Sequence, residues 1–473
     1  MSGRGERRVS TRVIHYPGMA RGHLLVAIAT LCSAIAVNGQ DNWVASLQQA
    51  INEGLTRGYV SNTSDIQSVK PVPIPFSCEP YSLAPAQTVN ELTPADIKVV
   101  AAIGDSLTAA MGARACTVLT DLIEYRGVSW SIGGDDDISI SGTMPNIIKK
   151  YNPGVVGYAI KTGSEDSANA RFDQAVSGAK ATDLWESQIS ALLQRMQQDT
   201  SVNMQTDWKI ITVFVGGNDL CDFCEDQATY SAANYAAHIK NVLDLIKANF
   251  PRTFVNLVHT LDVTEVGKLR GLWCDLVHSF VCKCGTTGSE ADVAMTKQAA
   301  TDYRTALEDL INTGRYEADD FTVVIQPFSM GMTPPLNTDG EPDKSYFAPD
   351  CFHFSTKGHK EMAVGLWNNM VQPLGHKAQT WIPGEALQCP SPSAPYFYTK
   401  SNSPALGADR SQGVAGNMAG SSLGAVVGVG AGVIVLLVAI GLIGFGVSKL
   451  KGKKEAVSVR MHNVQQHEKT RLL

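Results

Sequence analysis

Three residues of this sequence have the types and spacing of an ester-cleaving serine centre. Ser106 follows a Gly-Asp turn directly after the apolar run 97–103, and Asp350 stands three residues before His353. A serine hydroxyl becomes a competent nucleophile when a base removes its proton, and a histidine oriented by a carboxylate can be that base. The D-x-x-H spacing lets one loop aim the carboxylate at one imidazole nitrogen and leave the other for the serine. The pattern therefore predicts Ser106 as the nucleophile, His353 as the base and Asp350 as the acid.

Two glycine-rich turns supply further candidates for this centre. An apolar run ends in Gly-Gly immediately before Asn218 and Asp219, and an earlier turn contains Gly133 and Gly134. A side-chain amide such as that of Asn218, or a backbone N–H in the glycine turn, can donate a hydrogen bond to the oxygen that becomes negatively charged during ester cleavage. The sequence does not separate the two glycines. It also leaves Asp219 as an alternative to the predicted acid, since it adjoins the amide.

Alternating strand and helix patterns predict the elements that position these turns. Apolar runs recur at 97–103, 209–215, 253–263 and 321–327, and helical patterns fill 233–250, 296–310 and 358–371. Strands that alternate with helices indicate βαβ units and a mostly parallel sheet. Ligands of such sheets collect beyond the carboxyl ends of the strands, so Ser106 and Asn218 are expected at one edge.

Both ends of the sequence predict a membrane-anchored, exported chain. Residues 24–37 form an apolar stretch after several arginines, which is typical of a signal peptide. Residues 423–447 carry no charge and are followed by four lysines, which predicts a transmembrane helix with a cytoplasmic tail. A glycosylphosphatidylinositol signal is the alternative, but such signals normally end in the apolar segment. The sequence thus predicts a single-pass type I protein of the cell surface with an extracellular catalytic region.

These features divide the sequence into six predicted segments. They are a signal peptide at 1–39, an N-terminal extension at 40–93, a catalytic domain at 94–388, a Pro/Ser/Gly-rich stalk at 389–422, the transmembrane helix at 423–447 and the cytoplasmic tail at 448–473. Gly424, Gly428 and Gly432 recur at four-residue steps, a pattern that favours close pairing of membrane helices and hence a homodimer.

Charge and cysteine usage restrict the class of partner and the compartment. The net charge is −6 and both ends are basic, so the region between them is acidic, which argues against nucleic acid as a partner. Ten cysteines, one of them in the signal segment, predict disulfides and one unpaired thiol. Cys221-x-x-Cys224 together with Cys282-x-Cys284 leaves a redox or zinc motif as an alternative. Asn62 begins an N-glycosylation sequon.

Four short blocks of the sequence resemble, in content and order, those of the GDSL, or SGNH, hydrolases. They are Gly104–Leu107, Gly133-Gly134, Gly216–Asp219 and Asp350-x-x-His353. The wider sequence is similar to one catalytic repeat of the membrane-associated phospholipase B proteins, most clearly at 130–134, 145–153, 366–370 and 389–399. The resemblance implies a flavodoxin-like three-layer α/β fold and an oxyanion hole formed by the N–H groups of Ser106 and Gly134 with Asn218.

The resemblance also implies an activity and its substrates. The expected reaction is the removal of fatty acyl chains from phospholipids and lysophospholipids through an acyl-enzyme, without a metal or a cofactor. Two other functions remain open at this point. One is an esterase of the same fold that acts on acetylated carbohydrates or other small esters, and the other is a catalytically silent binding module of the cell surface.

Overall fold

The structure, a computed structural model, describes residues 70–79, 83–116 and 120–404. Its centre is a parallel sheet, as the alternating patterns predict, and its strands are hydrogen-bonded in chain order. The strands are β1 (Ile97–Gly104), β2 (Trp208–Phe214), β3 (Thr253–Val258) and β4 (Phe321–Gln326). Nearly every strand residue is buried, because parallel sheets carry packed elements on both faces.

Helices fill the connections between and after the strands, and they pack in two groups. The helix at 181–198 contacts Ala232–Asn249, which also contacts Glu290–Asn312, whereas Met144–Ile148 contacts Thr356–Met370. The bounds are α1 Ser106–Ala109, α2 Met144–Ile148, α3 as the consecutive segments Ala181–Asp183, Leu184–Gln188 (a π-helical turn) and Ile189–Gln198, α4 Gly217–Cys221, α5 Ala232–Asn249, α6 Leu272–Val281, α7 Lys283–Thr286, α8 Glu290–Asn312 and α9 Thr356–Met370.

Two element boundaries differ from the sequence prediction for local reasons, and one helix was not predicted. β3 stops at Val258, because the Asp262 side chain accepts a hydrogen bond from the Thr264 N–H (3.0 Å) and starts a 3-10 turn. α8 begins six residues earlier than predicted, because Ser289 and Asp292 form a reciprocal capping box. The sequence analysis did not predict α6, whose apolar residues recur at helical spacing but lie mostly on the side away from the core.

A further segment extends the sheet along the free edge of β1. The Ala102 N–H donates to the Phe172 carbonyl oxygen (3.1 Å), and the Gln174 N–H donates back to Ala102 (3.0 Å). Two residues later the Val176 N–H reaches the Gly104 carbonyl oxygen (3.1 Å). The chain after Val176 therefore lies next to the turn that carries Ser106.

The predicted stalk boundary falls inside the packed region. Cys389, where the stalk was expected to begin, is disulfide-bonded to Cys78, and Phe397 is fully buried with its N–H bonded to the Leu92 carbonyl oxygen (2.9 Å). Phe397 packs against the rings of Phe254 and Trp367, so the segment that contains it is part of the domain and not a linker. Residues through 404 are described, so a stalk of the predicted kind is restricted to the sequence beyond them.

Several predicted features lie outside the described residues. They are the signal peptide, the sequon at Asn62, the apolar segment 423–447 with Gly424, Gly428 and Gly432, and the basic tail. Within the described part of the chain, no helix has both the length and the hydropathy needed to cross a bilayer.

The cysteines of the CxxC and CxC motifs pair with each other. Cys221 is bonded to Cys282 and Cys224 to Cys284, so two parallel disulfides join α4 to the ends of α6 and α7. A further disulfide links Cys274 of α6 to Cys351, and Cys116 is an exposed free thiol. In this structure the two motifs form disulfides and not a redox centre or a zinc site.

Candidate active site

Two neighbouring strands deliver Ser106 and Asn218 to the same edge of the sheet. Gly104 at the end of β1 pairs in register with Phe214 at the end of β2. A Cβ atom on Gly104 would lie 2.3 Å from the Phe214 carbonyl oxygen, so only glycine allows the two ends to meet this closely. The Asp105 side chain then caps α1 by accepting the Leu107 N–H (3.0 Å), which places Ser106 at the first position of that helix.

The structure brings Ser106, His353 and Asp350 into one hydrogen-bonded chain. His353 Nε2 lies 2.7 Å from Ser106 Oγ, and His353 Nδ1 lies 2.5 Å from Asp350 Oδ2. The other Asp350 oxygen accepts the backbone N–H groups of Phe352 and His353, each at 2.9 Å. These backbone bonds fix the carboxylate against the imidazole. The side chains of Ser106, His353 and Asp350 are all buried.

The electrostatics of this chain favour a histidine that can accept a proton. Burial lowers the pKa of His353, but the charge and hydrogen bond of Asp350 outweigh burial and leave that pKa above its usual value. Burial raises the pKa of Asp350, yet the interaction with His353 and the two backbone bonds outweigh it and hold the pKa below its usual value. The carboxylate is therefore charged and stabilises an imidazolium on His353. His359, nearby in α9, accepts the Trp130 N–H at 3.3 Å, and burial lowers its pKa to about 3.

Asp219, the alternative acid, lies elsewhere. Its two oxygens accept the backbone N–H of Ala181 at 3.1 and 3.3 Å, and no hydrogen bond or ion pair joins it to His353 among the described residues. Burial raises the pKa of Asp219 to about 6. Its position at the start of the helix 181–198 makes it a helix-capping residue in this geometry.

Gly134 does not occupy the position predicted for it. Its N–H donates to the Ala159 carbonyl oxygen (2.8 Å), and the Gly133 N–H donates to the Ser129 carbonyl oxygen (2.9 Å). A Cβ atom on Gly134 would lie 2.1 Å from the Tyr158 ring, so the glycine is explained by packing. The geometry does not support an oxyanion hole that uses Gly134.

Gly178 takes a position that fits this role, and the sequence analysis missed it. It follows Val176, which is bonded to Gly104, and precedes Ala179, whose carbonyl oxygen accepts the Asn218 side-chain amide (2.9 Å). Gly178 has φ +83°, a backbone conformation that favours glycine, and its N–H has no hydrogen-bond partner among the described residues. The available signal was a short apolar segment ending in Ser-Gly, like the other strand ends of the site.

A buried arginine holds the segment that leads to Gly178. Arg126 is fully buried and donates from Nη2 to the Ala175 carbonyl oxygen (2.8 Å) and from Nη1 to that of Asp173 (3.3 Å). Its guanidinium also forms ion pairs with the carboxylates of Asp173 and Glu124 at 2.9 and 2.7 Å. Glu124 in turn accepts the Ser177 hydroxyl at 2.6 Å. These contacts fix the backbone immediately before Gly178.

An apolar pocket opens beside Ser106. Its few polar lining groups include the Asn218 side chain and the carboxylates of Asp262 and Glu265. Most of the wall comes from aliphatic and aromatic side chains contributed by α1, the 3-10 turn at 263–268 and the loops around His353. These residues are Leu107, Leu261, Val263, Val266, Met332, Phe347, Phe352 and Phe354.

Two curated relatives match about two thirds of this chain. The membrane-associated phospholipase B1 of Mus musculus is 42% identical over 327 residues, which cover 67% of this chain and 22% of that protein. The human protein of the same name is 42% identical over 330 residues, with the same coverage. This chain therefore spans about a fifth of the length of these relatives.

One solved structure and one family model complete the comparison. A structure described as a GDSL-like lipase from Parabacteroides merdae has a TM-score of 0.33 and 13% identity, and the match covers 59% of this chain and 96% of that one. The family model described as GDSL-like Lipase/Acylhydrolase matches residues 100–366, more than half of the chain and the part that carries Ser106, Asn218 and His353. The chain belongs to the GDSL-like lipase/acylhydrolase family.

Proposed function

We propose that this protein hydrolyses the fatty acyl esters of phospholipids and lysophospholipids, with Ser106 as nucleophile, His353 as base and Asp350 as acid. One observation carries the proposal: the hydrogen-bonded chain from Ser106 to Asp350 ends at an apolar pocket. A pocket lined in this way suits a hydrocarbon chain and offers few partners for a sugar. Relatives named membrane-associated phospholipase B1 support the same substrate class.

The first half of the reaction forms an acyl-enzyme. Ser106 Oγ attacks the ester carbonyl carbon while His353 Nε2 takes the hydroxyl proton. Asp350 stabilises the resulting imidazolium through Nδ1. When the tetrahedral intermediate collapses, the bond to the alcohol oxygen breaks, and His353 returns the proton to that oxygen. The lysophospholipid or glycerophospho alcohol leaves, and the acyl chain remains on Ser106 in the apolar pocket.

The second half releases the fatty acid by the same groups. His353 removes a proton from a water molecule, whose oxygen attacks the acyl carbon. The bond between that carbon and Ser106 Oγ then breaks, and His353 returns the proton to Oγ. In both halves the carbonyl oxygen of the ester becomes negatively charged next to the N-terminus of α1. We assign its stabilisation to the N–H groups of Ser106 and Gly178 and to the Asn218 amide, with Gly178 in place of Gly134.

The decisive experiment compares Ser106→Ala with the unmodified protein and with Ser201→Ala. Ser201 is exposed and its hydroxyl bonds only to Asp199, so its loss leaves the site unchanged. We expect hydrolysis of dispersed phosphatidylcholine and lysophosphatidylcholine, and labelling by a fluorophosphonate probe, to disappear in Ser106→Ala alone. Retained hydrolysis in that variant contradicts the assignment.

The same assays on the unmodified protein distinguish a phospholipase from a small-ester esterase and from a silent binding module. Hydrolysis of acetylated sugars with no activity on phosphatidylcholine identifies a small-ester esterase. An absence of probe labelling identifies a silent binding module.

We further propose that the chain carries this activity on the outer side of a membrane. The support comes from sequence: a signal-peptide pattern at 24–37, the uncharged segment 423–447 and the lysines after it. The four disulfides of the described region suit an exported protein. In the same proposal Asn62 carries an N-glycan, and glycines 424, 428 and 432 form a homodimer contact. The three-layer, flavodoxin-like form of the fold also belongs to this proposal.

A further inference from the structure

Helix α6 has an unusual division between its two faces. The face that contacts the domain carries Cys274 and His278, which are buried. The outer face is apolar at successive four-residue steps and is solvent-exposed or half-exposed along its whole length. It consists of Leu272, Leu276 and Phe280 in one row and Val277 and Val281 in the next, and we call these five residues the apolar face of α6. The exposed fraction of Phe280 is 73%.

The outer side of α6 is more apolar than that of a usual amphipathic surface helix. A helix that packs on a soluble domain normally turns its apolar side inward and its polar side to water. Here covalent and polar links, together with the packing of Trp273 against the core, hold the inner side. The Cys274–Cys351 disulfide, the Trp273 indole N–H bonded to the Pro349 carbonyl oxygen (2.9 Å) and His278 Nε2 at 2.8 Å from the Cys351 carbonyl oxygen hold α6 in place. The outer residues are therefore free to contact something else.

The helix is attached directly to the catalytic loop. Its three links end at residues 349–351, the segment that contains Asp350 and lies two residues before His353. Phe352, in the same loop, lines the apolar pocket beside Ser106. The 3-10 turn at 263–268, which leads into α6, contributes Val263 and Val266 to that pocket. The apolar face of α6 thus belongs to the surroundings of the pocket.

We propose that the apolar face of α6 docks on the surface of a phospholipid bilayer and places the pocket at the lipid. This proposal rests on the proposed function, because it concerns how the bilayer substrate reaches Ser106. An exposed apolar helix face with Leu and Phe is the pattern of segments that lie in the lipid interface. The disulfides at Cys274 and Cys282 hold the helix in its docking form, so no ordering is needed on contact.

The size of the face favours a bilayer over a second copy of the chain. A helix of 10 residues is about 15 Å long and offers a footprint of roughly 150 Å². A stable protein dimer buries about 800 Å² on each partner. A bilayer sets no such minimum when a membrane anchor already keeps the domain at its surface.

Charges around α6 indicate that the contact is apolar and not electrostatic. Arg270, at the start of the helix, pairs with Asp275 at 3.3 Å, and Lys268 pairs with Glu265. These cations are matched by carboxylates, and the region between the basic ends of the sequence is acidic. Docking through the apolar face is therefore expected to change little between low and high salt.

The first test places a fluorescent reporter on the helix. The full chain, reconstituted in phosphatidylcholine vesicles, is made as Phe280→Trp and, for comparison, as Leu83→Trp. Leu83 is 53% exposed and stands near Ala86, whose carbonyl oxygen contacts Trp208 at the amino end of β2, away from the catalytic edge. With dibrominated phosphatidylcholine in the bilayer, we expect added quenching at position 280 and none at position 83. Equal quenching at both positions, or none at 280, overturns the proposal.

The second test separates docking from chemistry. We expect Leu272→Ser with Phe280→Ser to lower phosphatidylcholine hydrolysis in the same vesicles about tenfold or more, since two large apolar contacts are lost. Hydrolysis of soluble p-nitrophenyl butyrate is expected to stay at the unmodified rate, and Leu83→Ser to change neither rate. An equal loss on both substrates, or no loss on vesicles, overturns the docking role. If the unmodified protein cleaves only the soluble ester, the proposed function fails, and the quenching result still decides whether α6 docks.

Discussion

The two sides of the candidate active site are built in different ways. On the proton-transfer side, Asp350 and His353 are three residues apart, and their own loop provides the bonds that orient them. On the oxyanion side, Gly178 and Asn218 come from separate segments, and a buried arginine more than 40 residues away fixes the approach to Gly178. The geometry of the first side is set within one short loop, whereas the geometry of the second side depends on the packing of distant segments of the domain. Substitutions are therefore expected to disturb the two sides in distinguishable ways.

The largest expected effect separates the two candidate acids. Asp350→Asn should lower kcat/KM on p-nitrophenyl butyrate by about 10⁴-fold, because the amide cannot hold the imidazole tautomer that accepts the serine proton. Asp219→Asn keeps a group of the same shape at Ala181, so it should lower kcat/KM on the same ester by about tenfold or less. A larger loss in Asp219→Asn than in Asp350→Asn would show that the acid has been assigned to the wrong side.

The next effect concerns the oxyanion side alone. Asn218→Ala should lower kcat by about 10²- to 10³-fold with little change in KM, because the amide bonds the oxygen mainly when it is negatively charged. Steady-state kinetics on the same ester measure this split. Gln227→Ala is a suitable control, since this exposed side-chain amide bonds only to the sulfur of Met295. A rise in KM at unchanged kcat would mean that Asn218 binds ground-state substrate only.

A smaller effect is expected from the support of Gly178. Arg126→Lys keeps the charge beside Asp173 but cannot reach both carbonyl oxygens, so the Gly178 N–H should lose alignment and kcat should fall by about tenfold. Arg195→Lys is the matched control, because Arg195 also binds backbone carbonyl oxygens but at residues 165–171. The affinity for a boronic acid that mimics the tetrahedral intermediate should fall with kcat, whereas a purely structural loss would lower the melting temperature and leave that affinity unchanged.

The smallest effect is a displacement along the pH axis. His353 must be neutral to accept the Ser106 proton, and its pKa is raised by Asp350. The acid limb of kcat/KM should therefore lie above pH 6.5, the usual pKa of histidine, and activity should fall as the pH drops through that limb. Removal of the carboxylate in Asp350→Asn should move the limb to lower pH. Asn218→Ala should leave it in place, and a shift in that variant would contradict the separation of the two sides.

This division also explains which parts of the site could be predicted from the sequence. The strands, their parallel order and the D-x-x-H loop depend on local patterns, and the structure has them close to the predicted positions. The choice of Gly134 rested on the family resemblance and on a glycine-rich turn, and its glycine is required by the Tyr158 ring instead. Gly178 depends on pairing of the segment 172–176 with β1, a long-range contact that no local pattern specifies. The same holds for Arg126, since a buried arginine cannot be told from an exposed one by spacing.

The disulfide between Cys78 and Cys389 has a mechanical consequence. It joins two points that are 311 residues apart in the chain and encloses the sheet, α6 and the catalytic loop in one covalent ring. A pull on the chain beyond this ring is transmitted across the Cys78–Cys389 bond and not through the strands that carry Ser106 and Asn218. In a force spectroscopy experiment on the oxidised protein, extension between residues 78 and 389 should appear only after this bond is reduced.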